Sequence, residues 1–357
     1  MNKVPITIMT GMIGAGKTKI SNSLIRKKCS NCKVLIYQPD TLTVVEDIST
    51  KRPYRKLSHN AQFAKIITTQ EQLISEVISY SKDKKPIDEI IIELAAGNPP
   101  QLFVEELYQL LEKYKLEETF YTQSLVSVID AEQFWFDYTS NHYVLYTSNN
   151  NRMEQTFAEV MISQIEFCSH IVLNKCNFLS KESLDETVSF IKKLQPKAQI
   201  IFSTDGHVAS HTFHSLEDVD LLNLKSNIGW KLELKQANLS TLSVAGKNGI
   251  DSFVYESHSP IQLEKLEEWF QTFPSEILRS AGYLWTLSEA NGLELLHFSQ
   301  VGASVIIETV DDDDYQHYTN TTKTKLVFFG FDLEDVEVTQ QLNQCIISDN
   351  DINQTVV

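Results

Sequence analysis

Apolar residues run almost unbroken through residues 4–9 and again through residues 87–94. Both runs are short and rich in β-branched side chains, the signature of a strand buried on both faces of a parallel sheet. Residues 33–37, 124–130, 170–173 and 199–203 read as further strands. Between them the apolar spacing changes to a helical period. Helices are predicted over 17–28, where Ile20, Leu24 and Ile25 share one face, and over 69–81, 101–115, 153–167 and 181–194. Strands that alternate with helices predict an α/β domain of three layers, with a mostly parallel sheet between two sets of helices.

The alternation stops near residue 238. Residues 238–249 are polar and include Gly246, Asn248 and Gly249, as expected of a linker. Beyond it the pattern predicts a strand at 252–256, a helix at 261–272 and a hairpin of 283–287 with 293–298 turning at Asn291-Gly292. Strands at 303–308 and 326–329 and a helix at 334–347 complete a small α+β domain. The expected division is therefore 1–237 and 250–348. The acidic run Asp311 to Asp314 reads as a solvated loop, and the tail after residue 348 as frayed.

Composition narrows the function. With 47 acidic against 31 basic residues the formal net charge is −16, a field that repels nucleic acid and anionic membrane. No apolar stretch approaches a membrane span, and the N-terminal residues read as a first strand, too short and wrongly flanked for a signal peptide. Five cysteines, an odd number in a chain this long, suggest reduced thiols and a cytoplasmic protein. Oligomeric state is not legible.

The chemistry-bearing signal is GMIGAGKT. Gly11, Gly16, Lys17 and Thr18 fit the P-loop pattern, set between a strand and an amphipathic helix. Such a loop cradles phosphates with backbone N–H groups, here those of Gly14, Ala15, Gly16, Lys17, Thr18 and Lys19, at the positive end of a helix. Lys17 reaches the β- and γ-phosphates and the Thr18 hydroxyl ligates Mg²⁺. In DEIIIELAAGNPP, Glu93 ends a buried strand where a second Mg²⁺-directed carboxylate belongs. Its alternative role is to cap the next helix, which Asn98 could also do. In LNKCN, Asn174 and Lys175 match the start of the N-K-x-D guanine loop, but Asn177 stands where the aspartate belongs. A neutral amide there loses the double acceptor, so a base-binding role is expected with a weakened preference for guanine.

In this order and spacing the three motifs resemble the CobW-like GTPases, relatives of the urease and hydrogenase nickel-insertion GTPases. SVIDAEQF, ILRSAGYLW (with Arg279, Gly282 and Trp285) and LVFFGFDLED extend the resemblance over nearly the whole chain. It implies Mg²⁺ with GTP, a C-terminal domain, a zinc or cobalt cargo and a client metalloprotein. Three positions depart from the family. Ala61, Gln62, Phe63 and Ala64 stand where a Cys-x-Cys-Cys metal motif is usual, Tyr37 and Gln38 replace an Asn-Glu pair, and Ala96 replaces a glycine, with Gly97 one place later.

Metal ligands elsewhere are sparse. Cys29 and Cys32 form a C-x-x-C without a second pair. His207, His211 and His214 would share one face if helical, and His59 is isolated. Trp230, Trp269 and Trp285 read as core or domain-interface aromatics. No attacking-water residue or arginine finger stands out, so slow hydrolysis is expected, with residues 38–60 and 93–100 responding to the γ-phosphate. The rival expectations are a nucleotide-gated binding protein without metal transfer or useful hydrolysis, and a small-molecule kinase on the same fold.

Overall fold

The computed structural model describes residues 3–28, 31–39, 42–45, 64–83, 85–148, 151–209, 212–213, 215, 217–237, 249–288, 292–310 and 323–347. The chain divides into two compact units, 1–187 with 194–227, and 188–193 with 228–357.

The first unit begins β1 (Val4–Gly11), α1 (Lys17–Lys28), β2 (Cys32–Tyr37), β3 (Leu42–Val45), β4 (Ala64–Ile67), α2 (Gln70–Ser81), β5 (Glu89–Leu94) and α3 (Pro100–Lys113). It continues β6 (Phe120–Asp130), α4 (Phe134–Thr139), β7 (Tyr143–Ser148), β8 (Asn151–Thr156), α5 (Phe157–Glu166) and β9 (His170–Asn174). Then come α6 (Lys181–Leu194), whose residues 188–193 group with the second unit, β10 (Gln199–Phe202) and α7 (Leu221–Ser226). Seven strands form one sheet in the order β10-β9-β6-β1-β5-β2-β4, every neighbouring pair parallel. Alternation along β5 explains the layers. Ile90, Ile92 and Leu94 enter one apolar cluster with Leu73 and Val77 of α2 and Phe103 and Leu107 of α3. Ile91 enters another with Ile20 and Leu24 of α1. A strand that buries both faces carries apolar residues at successive positions, as Ile90, Ile91 and Ile92 do, and its acids, Glu89 and Glu93, lie near its ends.

Two expectations are corrected here. The helix predicted from residue 153 begins at Phe157, because Thr156 and Glu159 form a reciprocal capping box that stops it there. The residues before it are β8, which pairs with β7, and β7 pairs in turn with β3 in a separate antiparallel sheet. Nor does Asn98 cap α3. Pro99 holds the N-cap position with no side-chain hydrogen bond, and the Asn98 amide nitrogen is buried without a partner. Immediately before it, Gly97 has φ +87°, and a β-carbon there would collide with the side chain of buried Val144 on β7.

The second unit holds α8 (Gly229–Ala237), β11 (Ile250–Ser257), α9 (Leu263–Phe270), β12 (Ile277–Ser288), β13 (Gly292–Val301), β14 (Ser304–Thr309), β15 (Thr324–Phe331) and α10 (Asp335–Gln344). Five strands form an antiparallel sheet, β11-β15-β12-β13-β14. Leu266 and Trp269 of α9 and Val338 and Leu342 of α10 join its apolar core. Trp230 and Trp269 are buried as expected, whereas Trp285 is partly exposed. Residues 238–248, the acidic loop at 311–314, Asn291 and the tail from residue 348 lie outside the described residues. Among the described residues no helix is long and apolar enough to cross a membrane.

Candidate nucleotide-binding site

The turn from β1 into α1 is built around positive-φ glycines, Gly11 at +145°, Gly14 at +80° and Gly16 at +104°. Two are also constrained by neighbours. A β-carbon on Gly11 would strike the Val128 carbonyl, and one on Gly16 would lie 2.5 Å from the Asn174 amide nitrogen. The backbone of Ala15 is tied to Met12, and those of Lys19 and Ile20 to Gly16, so the loop closes as a compact ring ahead of the helix. Lys17 folds its ammonium into that ring, donating to the carbonyls of Gly11 at 2.6 Å and Met12 at 3.1 Å. Desolvation pushes its pKa down to about 8, with the charge of Glu93 acting in the opposite direction. Lys19 points away and pairs with Asp205 at the surface.

Parallel pairing sets Met9 of β1 beside Glu93 of β5. Glu93 shares its strand face with Ile91, which packs against α1, so its side chain meets the start of that helix. The Thr18 hydroxyl donates to Glu93 Oε2 at 2.8 Å. Glu93 is only 2% exposed, and its Oε1 has no hydrogen-bond partner. A buried carboxylate oxygen left open beside a threonine hydroxyl is an all-oxygen donor set, which suits a hard Mg²⁺ ion. Both residues fit that ion, and the cap-only role is not what the geometry uses Glu93 for.

Asn174 is buried at the end of β9, and its amide joins two loops. Its nitrogen donates to the Ala15 carbonyl at 2.9 Å and its oxygen accepts from Gly206 N–H at 2.9 Å. Its visible work is therefore to hold the P-loop against the loop after β10. Lys175 follows in a left-handed conformation, φ 61° and ψ 28°, and its ammonium pairs with Asp130 Oδ2. Asn177 sits on the solvent-exposed 3₁₀ turn Cys176–Phe178. Asp130 and Gly206 are the members that the residue-by-residue reading did not place at the site. The acid that ends β6 was the available signal.

Of the candidate metal ligands, Cys29, His59, His211, His214 and Ala61 to Phe63 lie outside the described residues. Cys32 is disulfide-bonded, which corrects the expectation of reduced thiols throughout; a disulfide sulfur is not a thiolate ligand. Cys168, Cys176 and Cys345 are free. Residues 207–209 are not helical, so the histidine spacing does not make a helix face there. His207 is exposed, 3.4 Å from the Ser23 hydroxyl and 3.9 Å from Asp205. Among the described residues no three His, Cys, Asp or Glu side chains converge as a metal site. Of the positions that depart from the family, Tyr37 is buried against Phe103 with ring centroids 4.9 Å apart, and Ala96 is buried.

Comparisons with known proteins bear on the family. The zinc-regulated GTPase metalloprotein activator 1 of Dictyostelium discoideum is 21% identical over 392 aligned positions, covering 98% of this chain and 81% of that protein. Its namesake from Schizosaccharomyces pombe is 22% identical over 243 positions, covering 65% of this chain and 54% of its own length. Among solved structures, the Zn(II)-bound YjiA GTPase from E. coli is 15% identical with a TM-score of 0.39, covering 97% of this chain and all of that one. Residues 250–346 match the cobalamin synthesis protein cobW C-terminal domain. Residues 5–202 match the CobW/HypB/UreG nucleotide-binding domain, and the chain belongs to that family of P-loop GTPases.

Proposed function

We propose that this chain binds Mg²⁺-GTP at Gly11 to Thr18 and hydrolyses it slowly, as a switch that changes its grip on a client metalloprotein in the cytoplasm. The observation that carries the reading is Glu93, a buried carboxylate with one oxygen on Thr18 and the other open. The P-loop N–H groups hold the phosphates, and Lys17 leaves the carbonyls of Gly11 and Met12 to reach them. Thr18 and Glu93 would hold the ion, which when bound would supply charge neutralisation to the phosphates. Asn174 fixes the loop, and Lys175 lays its stem against the base. Turnover is expected to be slow, because among the described residues neither an attacking-water residue nor an arginine finger stands at the site. Phosphate release from GTP, measured with and without Mg²⁺, tests the reading. Absence of Mg²⁺-dependent release above background, with intact binding, would favour a binding protein without hydrolysis.

Guanine preference is expected to be modest, because Asn177 offers one acceptor and one donor where an aspartate offers two acceptors. Asn177→Asp should tighten GTP by about 1–3 kcal/mol relative to ATP, the scale of a charge-assisted hydrogen bond. An unchanged GTP:ATP ratio in competition binding would remove Asn177 from base reading.

The relatives' names, zinc-regulated GTPase metalloprotein activator, support zinc as a regulator. Ligands on this chain would come from His207, His211 and His214 or from Cys29 and Cys32. Because Cys32 is disulfide-bonded, thiol-dependent zinc binding should appear only after reduction. Zinc titration of reduced and oxidised protein, beside a His207→Ala/His211→Ala/His214→Ala variant, distinguishes the two sets. Tight binding that survives both changes would exclude both.

A further inference from the structure

We infer that Gln164 is a positioning residue for the base-recognition loop, acting through a water molecule that it shares with Ser127 and Asp130 in a cavity beside Met12 of the P-loop. The proposal rests on the nucleotide-site reading above and extends it to a residue on α5.

The cavity is lined by Met12, Ser127, Asp130, Phe134, Met161 and Gln164, among others. Three of these residues each carry a polar atom with no hydrogen-bond partner, Ser127 Oγ, Asp130 Oδ1 and Gln164 Nε2. Their residues are 1%, 7% and 2% exposed. A single buried polar atom without a partner is costly, and three around one cavity call for a shared ligand.

Their chemistry selects its class. The Gln164 amide nitrogen can only donate, the Asp130 oxygen only accepts, and the Ser127 hydroxyl does either. A metal cation would face the amide hydrogens, and an anion would face the carboxylate. Water accepts from the amide, donates to the carboxylate and bonds the hydroxyl, which gives it the three partners typical of a buried water.

Asp130 carries the effect outward. Its other oxygen, Oδ2, pairs with Lys175, and the Ala131 N–H donates to the Asn174 carbonyl at 2.9 Å. The carboxylate thus stands between the water and the lysine whose stem lies against the base. Losing the Gln164 donor frees the carboxylate to turn, and Lys175 loses its fixed position. The P-loop meets this chain at Met12, on the cavity lining, and at Ala15, which accepts from the Asn174 amide, but the Asp130–Lys175 pair that the water steadies does not include it.

The test compares GDP with inorganic pyrophosphate, which occupies only the phosphate end, by calorimetry on the full chain. Gln164→Leu keeps the volume and removes the donor. The expected result is a five- to tenfold weaker GDP affinity, on the order of one lost hydrogen bond, with pyrophosphate affinity within about twofold. In a Lys175→Met background the same substitution should add nothing, since partners in one network are not additive. Should Gln164→Leu fail to fold, Ser127→Ala removes a different partner of the same water and should give the same pattern. Unchanged GDP affinity, equal weakening of both ligands, or an effect that persists in Lys175→Met would overturn the positioning role alone. Wild type that binds neither ligand would overturn the nucleotide-site reading and this proposal with it.

Discussion

Lys17→Ala is expected to weaken nucleoside triphosphate binding by roughly 100-fold or more, the sum of two charge-assisted hydrogen bonds to phosphate, without unfolding the chain. Without nucleotide the ammonium turns back on the carbonyls of Gly11 and Met12, so it supports no apolar core. Burial lowers its pKa from 10.5 to about 8, which fixes the sign of the pH dependence. Below about pH 8 both the folded and unfolded chains carry the proton, and the folded state bears the full cost of a desolvated charge. Between about pH 8 and 10.5 the unfolded chain binds more protons, so this lysine's contribution to stability rises with pH. The alanine variant should therefore be at least as stable as wild type at pH 7 in urea melts. Any advantage should fade as pH approaches 10. Phosphates favour the charged lysine, so triphosphate affinity should fall above about pH 8, with proton uptake visible in calorimetry across buffers of different ionisation heat. Unchanged affinity in a folded Lys17→Ala variant would sink the P-loop assignment.

Glu93→Gln is expected to cut Mg²⁺-dependent hydrolysis by roughly 10- to 100-fold, the usual loss when a group that orients a metal site is removed. The stability readout runs the other way. A buried carboxylate with an open oxygen is costly in the metal-free protein, so the neutral amide should leave the thermal midpoint without Mg²⁺ unchanged or higher. Added Mg²⁺ and nucleotide should then raise the midpoint of wild type more than that of the variant. Equal shifts in both proteins, with turnover intact, would return Glu93 to a structural role.

Much of this architecture was legible because burial leaves a plain trace in an α/β chain. The helices at Lys17–Lys28 and Lys181–Leu194 have the bounds that their periodicity predicts. Strand β5 betrayed itself by having apolar residues on both faces. The hairpin of β7 and β8 was not legible in the same way, since only Val144 and Leu145 among its described side chains are buried. The capping box at Thr156-Phe157-Ala158-Glu159 was a readable stop that the apolar count overran. At the candidate site, the motifs pointed to Lys17, Thr18 and Glu93, which the structure brings together, but a motif records residue type and not partner. The Asn174 amide between Ala15 and Gly206, and the Asp130 carboxylate against Lys175, arise from strands distant in sequence, and spacing along the chain carries no trace of them.

Gly97 combines two constraints that respond differently to change. One is room, since a β-carbon would run into Val144, and trimming Val144 to alanine would open that space. The other is handedness, since φ is +87° and an L-residue there stays strained by about 1–2 kcal/mol however much room it has. A Gly97→Ala/Val144→Ala pair can therefore recover only the steric share of the loss. Repacking from the hairpin side cannot release the glycine.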